Sequence, residues 1–343
     1  MTTHPIQHAS TAPTHATPAQ NLVTIALGWW LMIGIFVDGW AHQHLGNQLE
    51  SFFTPWHAIF YSGFVATAGW VLWLASRGWR AGRRGLAAFP AGYPLAALGV
   101  PVFALGGLGD LTWHTIFGIE VDLDALLSPT HLILFLGAEL LVLAPLAAAW
   151  AEPVGRVAPL SVRWPAVLAA TAALSFASFM HMYLWAFLMV PNGAPDDRAA
   201  LAFTLVTALI LAAPPLILLR RFALPPGALT VMYAVNTLLM VLMTVGLAQG
   251  GQLVGLLAII GLALDVLAWV LRPSPRRVYA YRAFSALLGL VTWFGFYTAV
   301  KLTQGLTMSL ELWAGVCVMT GLGGLALGAL IVPPALPREA MED

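Results

Sequence analysis

The chain has 343 residues, of which 60% are hydrophobic and only 9% charged, with zero formal net charge and a mean hydropathy of +0.84. That balance excludes a soluble domain and leaves no basic surface suited to nucleic acid. The single cysteine, Cys317, excludes an intramolecular disulfide and any Cys-based zinc or iron–sulfur site.

Residues 1–21 are mostly Thr, Pro, Ala, Gln and His with little to bury, and are expected to form a disordered tail in which His4, His8 and His15 are solvated. Apolar runs long enough to cross a bilayer core, roughly 20 residues each, then follow at 22–41, 54–76, 92–117, 129–151, 164–190, 199–219, 226–248, 252–271, 281–302 and 309–333. The predicted fold is all-α, a polytopic bundle of about ten transmembrane helices in contact with lipid. The first run lacks a basic flank before it and a small-residue cleavage site after it, so it is read as a retained helix. The first four spans, 22–151, form one unit, and 152–343 form a further bundle. Nothing resembles a phosphate loop, and glycine-rich stretches such as Gly106-Gly107-Leu108-Gly109 and Gly321-Leu322-Gly323-Gly324 read as close helix contacts.

The basic residues set the orientation. Of the 15 Lys and Arg, all but Arg198 and Lys301 fall after the even-numbered spans, in Arg77–Arg84, Arg156 and Arg163, Arg220 and Arg221, Arg272–Arg282, and Arg338. The positive-inside rule then expects both termini in the cytoplasm, in a bacterial cytoplasmic membrane.

One pattern recurs. Asp38-Gly-Trp-Ala-His42 is followed by Thr54-Pro55-Trp56-His57, and Asp110-Leu-Thr-Trp-His114 by Ser128-Pro129-Thr130-His131. Asp and His four residues apart lie one turn above each other on one helix face, where both can reach a common atom. Ser or Thr followed by Pro starts a helix, so His57 and His131 should each project from a first turn. Each copy reads as helix end, loop, helix start, and the predicted topology brings all six side chains to the outer face.

A single His or Asp at a helix end is ordinarily solvated or bonded to a carbonyl. Two recurrences of the same Asp/His/His set call for a shared cause, and a metal site is the preferred reading over a purely structural hydrogen-bond network. Imidazole and carboxylate without thiolate or thioether suit copper, iron or zinc and disfavour a soft cuprous transport site. Glu50, Glu120, Asp122 and Asp124 lie in the motif loops. Of these, Glu120 is placed to support a ligand from outside or to join the set. His181, in Ser178-Phe-Met-His181-Met182, reads first as a packed histidine and second as a supporting neighbour of the cluster. Asp265 and Glu139 are read as helix-packing or proton-path acids.

Asp38-x-x-x-His42 with Phe53-Thr54-Pro55-Trp56-His57 and Phe60-Tyr61 resembles the copper-ligand segment of the C subunit of the particulate methane and ammonia monooxygenases. Asp110, Trp113, His114, Phe117, Glu120, Pro129 and His131 fall into that family's second segment. The resemblance implies one copper site at Asp38, His42 and His57 and a neighbouring one at Asp110, His114 and His131. It covers roughly residues 30–140. Asp110 stands where the family has Asn, both loops between the paired histidines are longer, and the soluble domain with which a partner subunit of that family supplies further copper has no counterpart here.

Two functional classes are expected. In one, paired copper sites near the outer face carry monooxygenase-like oxidoreductase chemistry on a small hydrophobic substrate, alone, as a homo-oligomer or with other membrane subunits. In the other, the cluster is a copper or zinc acceptor or permease without turnover. The scarcity of polar residues in the inner halves of the helices argues against a through-path.

Overall fold

The computed structural model describes residues 14–45, 52–118, 126–189 and 196–334. Among them the elements are helical: α1 (Pro18–Leu45), α2 (Pro55–Arg80), α3 (Pro94–Phe117), α4 (Pro129–Val142), α5 (Ala144–Ala151), α6 (Leu160–Met180), α7 (Asp197–Arg221), α8 (Ala228–Met243), α9 (Gly246–Leu271), α10 (Val278–Thr303) and α11 (Leu310–Ile331). Among the described residues nine helices, counting α4 with α5 as one, are long and apolar enough to cross a membrane. The chain is an all-α integral membrane protein.

Three expectations are corrected. The span expected at 226–248 is divided: the 16-residue helix α8 ends at Met243, and α9 opens at Gly246, whose φ of 73° turns the chain. The span expected at 164–190 ends at Met180: Met182 adopts φ 56°, which a helix cannot continue through, and Trp185–Met189 form a separate π turn. The tail is shorter than expected, since α1 begins at Pro18, the Ala91 N–H donates to the Thr14 carbonyl at 2.7 Å, and His15 Nδ1 lies 3.3 Å from Glu152 Oε1.

The contacts divide the chain into Met1–Pro153 and Val154–Asp343. In the first unit α1 pairs with α2 and α3 with α4, while α1 also packs on α4 and α2 on α3, closing a ring of four. The two hairpins share one register. A Cβ on Gly34 would stand 2.5 Å from the Phe60 Cα, and one on Gly63 would stand 2.7 Å from the Leu31 Cα. Likewise a Cβ on Gly106 would stand 2.8 Å from the Leu134 backbone nitrogen, and one on Gly137 2.5 Å from that of Phe103. Leu31, Gly34, Asp38 and His42 recur 72 residues later as Phe103, Gly106, Asp110 and His114. Thr54, His57, Phe60 and Gly63 recur 74 residues later as Ser128, His131, Leu134 and Gly137. Small residues let the backbones touch where lipid gives no hydrophobic drive for association, and the glycines thereby set how far each Asp-bearing helix slides along its partner.

The second unit holds α6 to α11, with α8 against α9 and α10 against α11 as its closest pairs. Its interior is tied by hydroxyl pairs, Tyr183 with Thr237 at 2.9 Å, Tyr233 with Thr292 at 3.1 Å and Thr204 with Tyr297 at 2.8 Å, beside the stacked rings of Phe187 and Trp293. Arg156 donates to the carbonyls of Leu219, Arg220, Phe222 and Pro273, closing the open end of α7. Cys317 is a buried free thiol.

Candidate metal centre

The six motif residues occupy one end of the first unit. Thr54 caps α2, its hydroxyl accepting the His57 N–H at 3.1 Å, and Ser128 caps α4, accepting the His131 N–H at 3.4 Å; Pro55 and Pro129 follow. The capped first turns therefore present His57 and His131, as the sequence predicts. From the far ends of α1 and α3 the four-residue spacing delivers Asp38 with His42 and Asp110 with His114.

Within each copy the carboxylate lies between the two imidazoles. Asp38 Oδ2 is 3.6 Å from His42 Nε2, and Asp38 Oδ1 is 3.5 Å from His57 Nε2. Asp110 Oδ1 is 3.2 Å from His114 Nε2 and 2.9 Å from His131 Nε2. The copies also meet each other. Ring centroids are 5.8 Å apart for His57 and His114, 6.3 Å for His42 and His114, and 6.5 Å for His42 and His131. Asp38, His42 and His57 can hold a metal ion, and so can His57, Asp110 and His114, each set offering ligand atoms within 4.8 Å of one another. His57 belongs to both sets.

The donor atoms fit an ion. His57 Nε2, His114 Nε2 and Asp110 Oδ1 are all buried, yet none makes an aligned hydrogen bond. Orphaned buried polar atoms cost free energy, whereas a metal at about 2.0–2.2 Å from each donor would satisfy them. Ligands of one such ion sit on the order of 3 Å apart, and the four Asp–His separations bracket that value. The far ring nitrogens are held in the way that suits ligation: His57 Nδ1 bonds the Phe52 carbonyl, and His114 Nδ1 bonds the Gly118 carbonyl at 3.1 Å. In the neutral ring an Nδ1–H donating to a carbonyl leaves the Nε2 lone pair free for a cation. Gly118 can do this because its φ of 84° turns the chain back at the end of α3.

Two contributors carry no metal-ligand signature in sequence. The Tyr61 hydroxyl donates to Asp110 Oδ2 at 2.9 Å, and the Phe52 ring lies 4.9 Å from His57, 5.6 Å from Tyr61 and 6.1 Å from His114. The available signal for Tyr61 is its place one turn beyond His57, on the same helix face. Glu120 lies outside the described residues, as do Glu50, Asp122 and Asp124. His181 closes α6 in the second unit and bonds Thr207 through Nε2 at 2.9 Å. Asp265 accepts from the backbone N–H groups of Leu229 and Thr230 and from the Thr230 hydroxyl, so it caps the start of α8.

No protein-family model matches the sequence, and no curated protein or solved structure matches it either.

Proposed function

We propose that the protein binds copper in the membrane through Asp38, His42, His57, Asp110, His114 and His131 and acts as a monooxygenase-like oxidoreductase. The observation that carries this reading is the convergence of buried, unaligned imidazole and carboxylate donors from both copies of the repeat. A donor set of four imidazoles and two carboxylates suits copper in its cupric state, with iron and zinc as the competing occupants. Copper held there supplies a redox-active centre for oxidising a small apolar molecule that reaches it from the lipid. The local resemblance to the C subunit of the particulate methane and ammonia monooxygenases supports the same chemistry.

The chain's own part is to fix donors and exclude water. The carbonyls of Phe52 and Gly118 set the tautomers of His57 and His114, and the Phe52 ring lies over one side of the cluster. By the distribution of basic residues the cluster faces the outer side of a bacterial cytoplasmic membrane. A permease would require polar relays across the bilayer, but Asp265 is consumed in capping α8. Among the described residues the two ligand groups both lie in the one cluster.

Metal analysis of protein purified in detergent, with optical and paramagnetic spectra before and after reduction, tests the reading. Copper at one or two ions per chain with a spectrum that bleaches on reduction and returns in air is expected. Bound zinc, spectrally silent and indifferent to reductant, moves the assignment to metal handling without turnover.

A further inference from the structure

The two copies of the repeat differ by one hydroxyl. Tyr61 stands four residues after His57, and its hydroxyl donates across to Asp110 Oδ2 at 2.9 Å. Four residues after His131 the chain has Phe135, which has no hydroxyl to give, and among the described residues no hydroxyl meets Asp38. The space for the tyrosine is also particular to one copy. A Cβ on Gly107 would stand 2.9 Å from Tyr61 Cε1 and 3.3 Å from its hydroxyl oxygen, whereas the position equivalent to Gly107 in α1 is Ile35.

The carboxylates are arranged accordingly. Asp110 has Oδ2 engaged by Tyr61, so Oδ1 alone turns to His114 and His131, at 3.2 and 2.9 Å. Asp38 divides its oxygens, one 3.6 Å from His42 and the other 3.5 Å from His57. The first arrangement is closer and locked against rotation of the carboxylate, while the second is wider and has no lock. Asp110 and His114 are each 1% exposed at the side chain, against 15% for Asp38 and 11% for His42, while the third members run the other way, His131 at 19% and His57 at 4%, so the distinction rests on the carboxylates.

Resting on the metal reading above, we infer that Tyr61 is a positioning residue that fixes Asp110 as a one-oxygen ligand. The Asp110/His114/His131 position thus retains its ion, and the Asp38/His42/His57 position is the exchangeable one that meets the reactant. A partner that orients a metal ligand from outside is typically worth about 10–100-fold in affinity or activity. The lock therefore has the size needed to separate two otherwise duplicate sites.

Cupric ion itself is the probe. Full-length protein in detergent, loaded with copper, is mixed with excess chelator and the remaining metal is followed in time. Two ions per chain leaving in two phases are expected, the fast phase missing in His42→Ala and the slow one missing in His131→Ala. Tyr61→Phe should speed the slow phase about 10–100-fold and alter the paramagnetic spectrum of the retained copper, with the fast phase unchanged. The inference is overturned if Tyr61→Phe leaves the slow phase as it was, if it speeds both phases alike, or if the chain binds a single ion. Protein that takes up no metal overturns the metal reading itself.

Discussion

The rings of His57 and His114 lie with centroids 5.8 Å apart, although the first opens α2 in one copy of the repeat and the second closes α3 in the other. Neither hairpin alone builds the cluster, because His57 contributes to a ligand set with its own Asp38 and to another with Asp110 and His114. His57→Ala is therefore expected to reduce metal bound at both positions, whereas His131→Ala should empty only one. Both variants should fold, since Thr54, Ser128 and the prolines that start α2 and α4 remain in place. Metal content per chain, measured beside thermal unfolding in detergent, checks the pair; equal losses from the two variants would contradict the shared role of His57.

The glycines give a second test that involves no ligand. Gly34→Ala drives a methyl group to 2.5 Å from the Phe60 Cα, where backbone and not a flexible side chain must give way. Overpacking of that kind costs about 1–3 kcal/mol, and sliding α1 on α2 should also spoil the approach of Asp38 to His57. A lower unfolding temperature together with lower metal content is expected, with Gly106→Ala behaving alike in the other hairpin. Gly69→Ala on α2 meets nothing within 4 Å and should stay within about 1 kcal/mol of the parent protein.

Much of the site is written in short-range spacing. Asp38 with His42 and Asp110 with His114 are set by one helical turn, and the positions of His57 and His131 by a hydroxyl cap and a proline, all local rules that a sequence displays directly. Long-range partners are not displayed in that way. Tyr61 reaches an aspartate 49 residues away because Gly107 leaves room for its ring, a fact about packing between helices. Hydropathy marked the apolar stretch 226–248 and missed the break after Met243, since the turn is made by Gly246 at φ 73° and a lone glycine inside an apolar run equally fits a close helix contact. Asp265 looked like a lone membrane acid because its partners, the first N–H groups of α8, are main-chain atoms that every sequence contains.

That capping role predicts the behaviour of Asp265 variants. Asp265→Ala leaves the N–H groups of Leu229 and Thr230 without an acceptor, at a cost of about 1–3 kcal/mol for donors left buried and unpaired. Asp265→Asn keeps one acceptor oxygen and should lose less. Metal content should be unchanged in both, because Asp265 lies in the second unit and the ligands in the first. Loss of bound metal in Asp265→Asn at unchanged unfolding temperature would point to a proton or ion path and not to a cap.

Topology turns on α8. Its 16 residues rise about 24 Å at 1.5 Å each, short of a hydrocarbon core of about 30 Å. Even so, α8 runs back along α9: a Cβ on Gly261 would stand 2.7 Å from the Thr230 Cα and one on Gly250 2.6 Å from Val241 Cγ1, so α8 keeps pace with the stretch of α9 from Gly250 to Gly261. If α8 crosses, the chain has ten spans and both termini lie in the cytoplasm. If it does not, Arg272, Arg276, Arg277 and Arg282 after α9 are left on the external side, against the charge rule that the other loops obey. The charge rule thus favours a crossing α8, and reporters fused to the N- and C-terminal ends are both expected to be active on the cytoplasmic side. An external C-terminal reporter with a cytoplasmic N-terminal one would mean nine crossings and an α8 that enters the membrane and returns.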